Sequence, residues 1–291
     1  MLVNDVIERV KKKKYFLILI LSIIILLLIL LIGTVSSFNK KNIVSQDEQQ
    51  PKEEEEMIVA IENKQKEEEE KQKEKQEEAN ATGIIYLTFD DGPTQDTTPR
   101  ILDILKKKNI KATFFVVNYS DSNEELIRQE AEMGETVALH GYTHTYSEVY
   151  QSSDTCIDNF KKIQSKVYQT TGKKANIIRF PGGSSNTISR KYCEGVMTEL
   201  TKRVVDEGFR YFDWNVDSDD AGKAKTSQDI YNNVVSGIKP GRENVVLMHD
   251  FAKNDKTVNA LEAIIDYGLQ NGYVFRKITD ETKMVTHSVN N

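Results

Sequence analysis

The sequence predicts an α/β fold, a distorted (β/α) barrel of about seven parallel strands preceded by one transmembrane helix and a charged tether. Three observations lead to this prediction. The chain begins with a basic segment and a long uncharged stretch, and continues with a stretch dominated by lysine and glutamate. It then alternates short strand-like runs with amphipathic helical stretches, which is typical of a parallel sheet with helices outside it.

The first segments of the chain predict a membrane anchor. Residues 1–14 contain five basic and two acidic residues, and residues 15–35 form a run of 21 residues without a charge. As a helix this run would be about 31 Å long, which matches the hydrocarbon core of a bilayer. A cleavable signal peptide is the alternative, but its apolar region spans only about 7–15 residues. We therefore expect residues 15–36 to cross the lipid bilayer. Because the basic residues precede the span, residues 1–14 should be cytoplasmic and the rest of the chain extracellular.

Residues 37–81 predict a charged low-complexity linker. There are 8 lysines and 14 acidic residues between positions 39 and 81. Glu–Lys pairs four residues apart favour transient helix, whereas apolar residues cluster only at 57–61, so no heptad repeat supports a coiled coil. We expect a solvated tether that holds the following domain away from the membrane.

Residues 82–291 are long enough for one domain with its own core. They contain 26 basic and 29 acidic residues without a basic patch, so nucleic acid is not an expected partner, and no protein partner is evident. Cys156 and Cys193 are the only cysteines, and they lack the CxxC spacing of a metal site. They could form a disulfide outside the membrane, without a catalytic role.

Seven runs in this domain predict strands, and six stretches between them predict helices. The predicted strands are residues 84–89, 112–117, 136–139, 177–180, 210–216, 245–248 and 273–275. The predicted helices are residues 99–109, 123–133, 156–170, 188–207, 227–238 and 257–271. Seven strands suit a β/α barrel better than an open doubly wound sheet. No GxGxxG or GxxxxGK[ST] motif follows a strand, so nothing supports nucleotide binding.

Polar side chains gather where the predicted strands end. In β/α barrels the chemistry lies at the carboxyl ends of the strands. The groups at these ends are Asp90-Asp91, His140–His144, Arg179–Gly183, Asp217–Asp220 and His249-Asp250. Of the four histidines only His287, in the polar C-terminal tail, lies elsewhere. We therefore expect the functional site at this edge of the sheet.

The motif HGYTH, residues 140–144, predicts a metal site. In a helical turn the two imidazoles would share one face and bind one cation, whereas the alternative is two solvent-exposed loop histidines. A carboxylate from another strand end would complete a His-His-Asp set with open positions, which suits a catalytic metal. Zinc is the first expectation for this divalent metal, with cobalt, manganese, nickel or iron as alternatives.

The adjacent acids Asp90 and Asp91 have two interpretations. Asp-Gly between two strands is a strong hairpin signal, but here Pro93 and a helix start follow it. Two carboxylates that face one cation can have different functions. One binds the metal, and its neighbour stays ionised and acts as a general base.

Five motifs in order resemble the NodB-homology polysaccharide deacetylases, carbohydrate esterase family four. They are TFDDGP (88–93), HGYTH (140–144), RFPGG (179–183), DSDDA (217–221) and LMH (247–249). The resemblance covers about residues 82–280. It implies a distorted β/α barrel that removes acetyl groups from polysaccharides with a divalent metal.

The resemblance also implies roles for the residues at the first three motifs. Asp91, His140 and His144 look like the metal ligands. Asp90 looks like the general base that takes a proton from the attacking water. Arg179 resembles the residue that holds Asp90 in place.

The remaining motifs imply further roles at the site. His249 resembles the general acid that protonates the departing amine, with Asp220 as its carboxylate partner. The backbone N–H of Gly182 resembles the oxyanion donor, and Leu247 is similar to a residue that lines the acetyl pocket.

Two positions depart from the family pattern. When DSDDA is aligned with the family's DxxDW, Ala221 replaces the tryptophan. Asp213-Trp214 also resembles the end of that motif but lies inside a predicted strand. Trp214 could compensate for the missing ring or belong to the core. Gly182 stands where many relatives carry tyrosine, and glycine keeps the backbone donor.

The expected function is deacetylation of cell-wall polysaccharide, with N-acetylglucosamine of peptidoglycan as the leading substrate. An extracellular domain on a long tether and the complete motif set support this expectation. The alternatives are a deacetylase of another glycan or of N-acetylmuramic acid, or a catalytically inactive sugar-binding barrel.

Overall fold

The computed structural model describes residues 50–290. The cytoplasmic tail expected at residues 1–14, the anchor expected at 15–36 and the first part of the linker lie outside the described residues. In the described part of the chain, no helix is both long and apolar enough to cross a bilayer.

The chain divides into two compact units between Gln72 and Lys73. Helix α1, Gln50–Asn80, includes the described part of the first unit and is continuous where the sequence indicated only transient helix. Strong helix formers and i,i+4 pairs of opposite charge favour this conformation. In the second unit, Arg276 forms ion pairs with Glu77 and Glu78 at the end of α1, at 2.9 and 3.0 Å.

The second unit contains a parallel sheet, as the sequence predicts. Its strands are β1 (Ile84–Asp90), β2 (Thr113–Val117), β3 (Thr136–Gly141), β4 (Ile177–Ile178), β5 (Arg210–Tyr211), β6 (Val216–Asp217), β7 (Glu243–His249) and β8 (Val274–Phe275). The order is β5-β4-β3-β2-β1-β7-β6, and β8 pairs with the start of β1. The sheet curls into a half-barrel in which β1 lies between β2 and β7.

The helices that follow these strands also agree with the predicted alternation. They are α2 (Thr98–Lys108), α3 (Glu124–Glu132), α4 (Tyr146–Val149), α5 (Ser153–Thr171), α6 (Val196–Asp206), α7 (Ser227–Gly237) and α8 (Asp255–Gln270), with 3-10 turns at Asp121–Asn123 and Ser189–Lys191. The single helix predicted for residues 188–207 is divided, because Gly195 at φ 76° separates the second 3-10 turn from α6.

The segment predicted as one strand, residues 210–216, is two strands on opposite edges of the sheet. β5 pairs with β4 and β6 pairs with β7, and the chain crosses from one edge to the other between them. The carbonyl oxygens of Phe212 and Asp213 accept hydrogen bonds from the Arg179 guanidinium, at 2.9 and 3.1 Å, instead of pairing with a neighbouring strand. Within the described residues no backbone ladder joins β5 to β6, so the barrel is open there.

The two faces of β1 explain how the sheet positions the site. Ile85, Leu87 and Phe89 lie on the face that packs against the helices in the larger core. Because side chains alternate along a strand, Thr88 and Asp90 lie on the opposite face, inside the half-barrel. The site residues of β1 therefore stand above the smaller inner cluster, which consists of Tyr86, Phe115, Ala138, Ile177, Phe212, Val245 and Ile278.

Replacing Gly268 by alanine should destabilise the domain. A β-carbon there would lie 2.5 Å from Cζ of Phe275 and 3.0 Å from Cδ1 of Ile85, where α8 packs on the sheet. Overpacking costs about 1–3 kcal/mol, which exceeds the gain of at most about 1 kcal/mol in helix propensity. Denaturant unfolding should show a net loss of about 1–2 kcal/mol.

The exposed neighbour Leu269 provides the control, and Leu269→Ala should change stability by less than about 0.5 kcal/mol. Unchanged or increased stability of Gly268→Ala would contradict close packing of α8 on the sheet.

Candidate metal centre and active site

The register of β1 and β7 brings Asp90 beside His249. These two strands pair along their whole length, and Asp90 and His249 are the last partners in the ladder. Asp90 is only 3% exposed. A candidate proton acceptor and a candidate proton donor therefore end neighbouring strands.

A change of backbone conformation lets two successive carboxylates face one point. Neighbouring side chains of a strand normally point to opposite faces, but Asp91 has a φ of 75°, which aspartate tolerates better than most residues. Nε2 of His140 consequently lies 3.7 Å from Oδ2 of Asp90 and 3.6 Å from Oδ1 of Asp91. The Asp-Gly sequence thus ends a parallel strand and does not form a hairpin.

Asp91, His140 and His144 form a candidate site for one divalent cation. Their ligand atoms all lie within 4.8 Å of one another, and Oδ1 of Asp91 is 3.7 Å from Nε2 of His144. With bonds of about 2.0–2.1 Å in a tetrahedral site, two ligand atoms lie about 3.4 Å apart, so the three groups fit one ion with small adjustments. Burial, with the nearby His140, lowers the pKa of His144 and favours the neutral form that binds metals.

The two histidines do not share a helical turn, contrary to the expectation from HGYTH. His140 belongs to β3, and His144 lies in the loop before α4. Gly141, at φ 136°, lies where a β-carbon would come within 2.6 Å of the Asn159 side chain. Asn159 binds both the N–H and the carbonyl oxygen of Thr143, at 2.8 and 3.1 Å, and so fixes the loop that returns His144 to the site.

A backbone contact sets the orientation of the His140 ring. Nδ1 of His140 lies 2.9 Å from the carbonyl oxygen of Arg179. Because a carbonyl only accepts, Nδ1 carries the proton and Nε2 faces the site with its lone pair. Such outer contacts fix the tautomer of metal-binding histidines.

The Arg179 side chain places Asp90. Nη1 of Arg179 donates to Oδ1 of Asp90 at 2.7 Å and to Oγ1 of Thr88 at 2.8 Å. The guanidinium is fully buried and lies 4.1 Å from the ring centre of Phe115. The buried ion pair therefore fixes the position of the Asp90 carboxylate at the site.

His249 and Asp220 form a second ion pair beside the candidate metal site. Nδ1 of His249 lies 2.7 Å from Oδ1 of Asp220. Burial alone would lower the pKa of His249, but the hydrogen bond and charge of Asp220, with Asp90 and Asp91, raise this pKa to about 9. The imidazole is therefore protonated at neutral pH, as a general acid requires.

Sequence reasoning missed the residues that hold Asp220. Oδ2 of Asp220 accepts hydrogen bonds from the backbone N–H of His249, from Asn254 and from Thr257, at 2.8, 3.0 and 2.6 Å. Asn254 and Thr257 follow the last motif at the start of α8, and only the fold shows that they face Asp220.

Asp250 has no assigned role in the sequence motifs but is completely buried beside them. Its Oδ2 accepts a hydrogen bond from Thr98 at 2.5 Å, and a β-carbon on Gly92 would overlap its carboxyl group. Burial, with the charges of Asp91 and Asp90, raises the pKa of Asp250 to about 7.

The candidate substrate residues lie around this centre. Leu247 lies on the same side of β7 as His249, two residues earlier. Gly182 lies in the turn after β4, at φ 74°. Ala221 is exposed, whereas Trp214 is half-buried, and a β-carbon on Gly183 would lie 2.9 Å from its ring. Trp214 therefore contacts the turn that contains the candidate oxyanion donor.

His287 also lies near the site, although the sequence placed it outside. Its Nε2 donates to the carbonyl oxygen of Trp214 at 2.6 Å, and its Nδ1 lies 3.0 Å from Oγ of Ser185. Its backbone N–H donates to Asp213 at 2.7 Å. No pattern in the polar tail indicated this long-range contact with the turn after β4.

Cys156 and Cys193 do not form the disulfide that the sequence left open. Both are free thiols, and Cys156 is buried.

Replacing Asp220 by asparagine should lower the pKa of His249 from about 9 toward its ordinary value of about 6.5. The loss of the carboxylate removes the charge that keeps the imidazole protonated. The titration of the His249 ring in metal-free protein can be followed by NMR. Any step that needs protonated His249 is lost as pH rises through its pKa, so the alkaline limit of activity should fall with it.

Asp217→Asn is the matched control, because Asp217 is an exposed carboxylate of the same motif. An unchanged His249 titration in Asp220→Asn would contradict the assignment of this ion pair.

Comparisons with known proteins agree with this geometry. A model of the polysaccharide deacetylase family matches residues 77–196. The chain is 30% identical over 209 residues to a peptidoglycan-N-acetylglucosamine deacetylase of Bacillus cereus, an alignment that covers 68% of this chain and 70% of that protein.

Two solved structures extend the comparison to the whole domain. The catalytic domain of a peptidoglycan N-acetylglucosamine deacetylase from Eubacterium rectale is 45% identical, with a TM-score of 0.68, covering 72% of this chain and 94% of that one. A polysaccharide deacetylase from Bacillus cereus is 30% identical, with a TM-score of 0.61, covering 70% and 95%. The motif resemblance is thus confirmed, and the chain belongs to the polysaccharide deacetylase family, close to the peptidoglycan N-acetylglucosamine deacetylases.

Proposed function

We propose that residues 82–291 remove the N-acetyl group from N-acetylglucosamine of peptidoglycan by metal-dependent hydrolysis. One observation carries the proposal. An arginine-bound carboxylate, Asp90, and a carboxylate-bound imidazole, His249, end neighbouring strands beside a three-ligand metal site. Amide hydrolysis needs a proton acceptor for water and a proton donor for the amine, and these two groups have those properties.

Asp91, His140 and His144 would hold one divalent cation. Two imidazoles and one carboxylate make zinc the first expectation, with cobalt, manganese, nickel or iron as alternatives. A cation there supplies a Lewis acid that polarises the amide carbonyl and activates water.

Asp90 is the proposed general base. It accepts the proton of the attacking water while that oxygen forms a bond to the carbonyl carbon. The hydrogen bond from Arg179 holds the Asp90 carboxylate in place for this step.

His249 is the proposed general acid. As the C–N bond breaks, His249 gives its proton to the amine nitrogen, and acetate and a free amino sugar result. Nδ1 of His249 is bonded to Asp220, so Nε2 is the nitrogen that can deliver the proton.

The identity of the substrate is supported by the relatives and by the expected extracellular location. Two of the similar proteins are named as peptidoglycan N-acetylglucosamine deacetylases. The site lies at the carboxyl ends of the strands, where Asp91 and His144 are partly exposed, which suits a polymer that must pass across it.

Replacing Asp90 by asparagine should strongly reduce turnover without abolishing metal binding. Loss of the general base should lower kcat by about 10²–10⁴-fold. The domain should also be less stable, because buried Arg179 loses its counter-ion. Acetate released from purified peptidoglycan gives the rate, and metal analysis of the folded protein gives the stoichiometry.

The control variants separate the two functions of the adjacent acids. Asp91→Asn should lose metal and activity together, and Asp103→Asn, an exposed carboxylate on α2, should change neither. Wild-type protein loaded with zinc or cobalt that releases no acetate would refute the proposal. Mass spectrometry of the digested polymer identifies the sugar and distinguishes N-acetylmuramic acid and other glycans from N-acetylglucosamine.

We also propose that residues 15–36 anchor the enzyme in the lipid bilayer, with residues 1–14 in the cytoplasm and the catalytic domain outside. The uncharged stretch and the preceding basic residues support this topology. Protease added to intact cells should therefore degrade the catalytic domain. Protection of the domain in intact cells, with cleavage after lysis, would contradict the topology.

A further inference from the structure

The turn after β4 contains a backbone donor that is not bonded within the described protein. The N–H of Gly183 donates to the carbonyl oxygen of Phe180 at 2.7 Å, and the Tyr150 hydroxyl donates to the carbonyl oxygen of Pro181 at 2.7 Å. Asn186 binds the carbonyl oxygen of Gly183 at 2.8 Å. The turn is thus held on both sides of Gly182, whose own N–H has no protein acceptor among the described residues.

The hydroxyl of Tyr146 occupies the space beside Gly182 where a side chain would begin. A β-carbon on Gly182 would overlap the hydroxyl oxygen of Tyr146 and lie 3.2 Å from its Cζ. Position 182 is also unfavourable for a side chain, because its φ of 74° favours glycine. A polar group at this point must therefore come from another segment, and Tyr146 supplies it.

The ring of Tyr146 is fixed by two aromatic neighbours. It packs edge-on against His144, with centroids 5.7 Å apart, and tilted against Tyr150 at 5.6 Å. His144 is a candidate metal ligand, so the Tyr146 side chain contacts both a residue of the metal site and the Gly182 turn. In the described part of the chain this hydroxyl forms no hydrogen bond to a protein acceptor, so it can donate to a bound molecule.

We propose that the Tyr146 hydroxyl is a second hydrogen-bond donor to the oxyanion that forms during hydrolysis, acting beside the Gly182 N–H. The proposal rests on the proposed deacetylase function. Donors fixed in advance at the developing negative charge stabilise the transition state more than the substrate. Tyr146 thereby supplies a hydroxyl donor beside position 182, where glycine has no side chain.

The test compares wild type with Tyr146→Phe, which keeps the ring contacts and removes only the hydroxyl. Methylphosphonate, a tetrahedral anion, serves as the probe, and calorimetry measures its affinity for the zinc-loaded full-length protein. Loss of one donor to an anion should weaken binding by about 10–100-fold. The zinc stoichiometry should remain unchanged, which excludes damage to the metal ligands.

Turnover supplies a second measurement. Tyr146→Phe should lower kcat for acetate release by about 10²-fold and change KM much less, because the contact strengthens in the transition state. Tyr142→Phe is the matched control, since this exposed tyrosine of the same loop should change neither quantity.

The outcomes separate the two proposals. Equal methylphosphonate affinity in wild type and Tyr146→Phe, or no binding by wild type, overturns the role of Tyr146. If wild type binds the anion more tightly than Tyr146→Phe but releases no acetate from peptidoglycan, the donor role stands and the proposed function fails.

Discussion

Both the fold and the site depend on the hydrogen bonds of one buried group, the guanidinium of Arg179. Its N–H groups donate to the side chains of Thr88 and Asp90 on β1. They also donate to the carbonyl oxygens of Phe212 and Asp213, in the segment that crosses the open side of the half-barrel. A buried charge costs several kcal/mol unless it is paired and hydrogen-bonded, and Asp90 is the paired carboxylate here. The same side chain therefore joins β1 to the segment that crosses the open side of the half-barrel, and it fixes the candidate base.

The Asp220–His249 pair repeats this arrangement with the charges exchanged. At Arg179 the cation is permanent and holds a carboxylate that is proposed to accept a proton. At Asp220 the carboxylate is held by Asn254 and Thr257, and it maintains an imidazole that is proposed to give one. Each titrating group thus faces the site, while its fixed partner lies deeper in the domain. This division lets one site contain a base and an acid at the same pH.

The sequence allowed prediction of the parallel sheet and the groups at the strand ends, because carboxyl ends of parallel strands converge on one edge. Asp91 and His140 needed only this rule to be placed together. The conformation of residues 210–216 could not be read in the same way, because buried Arg179 satisfies carbonyl groups that a strand neighbour would otherwise bind. The contacts of Tyr146 with Gly182, and of His287 with the turn after β4, join distant segments without a periodic pattern.

The charges at the site show why a divalent cation suits these residues. Arg179 compensates Asp90 and protonated His249 compensates Asp220, so Asp91 is the carboxylate left without an organic cation among these five groups. Neutral imidazoles of His140 and His144 add ligand atoms but no charge. A divalent ion bound there would leave a net positive charge at the three ligands, which would attract an amide oxygen that becomes negative. In the proposed reaction the cation and the Gly182 N–H would both stabilise this oxygen. Asp90, held by Arg179, would accept a proton, and His249, held by Asp220, would donate one.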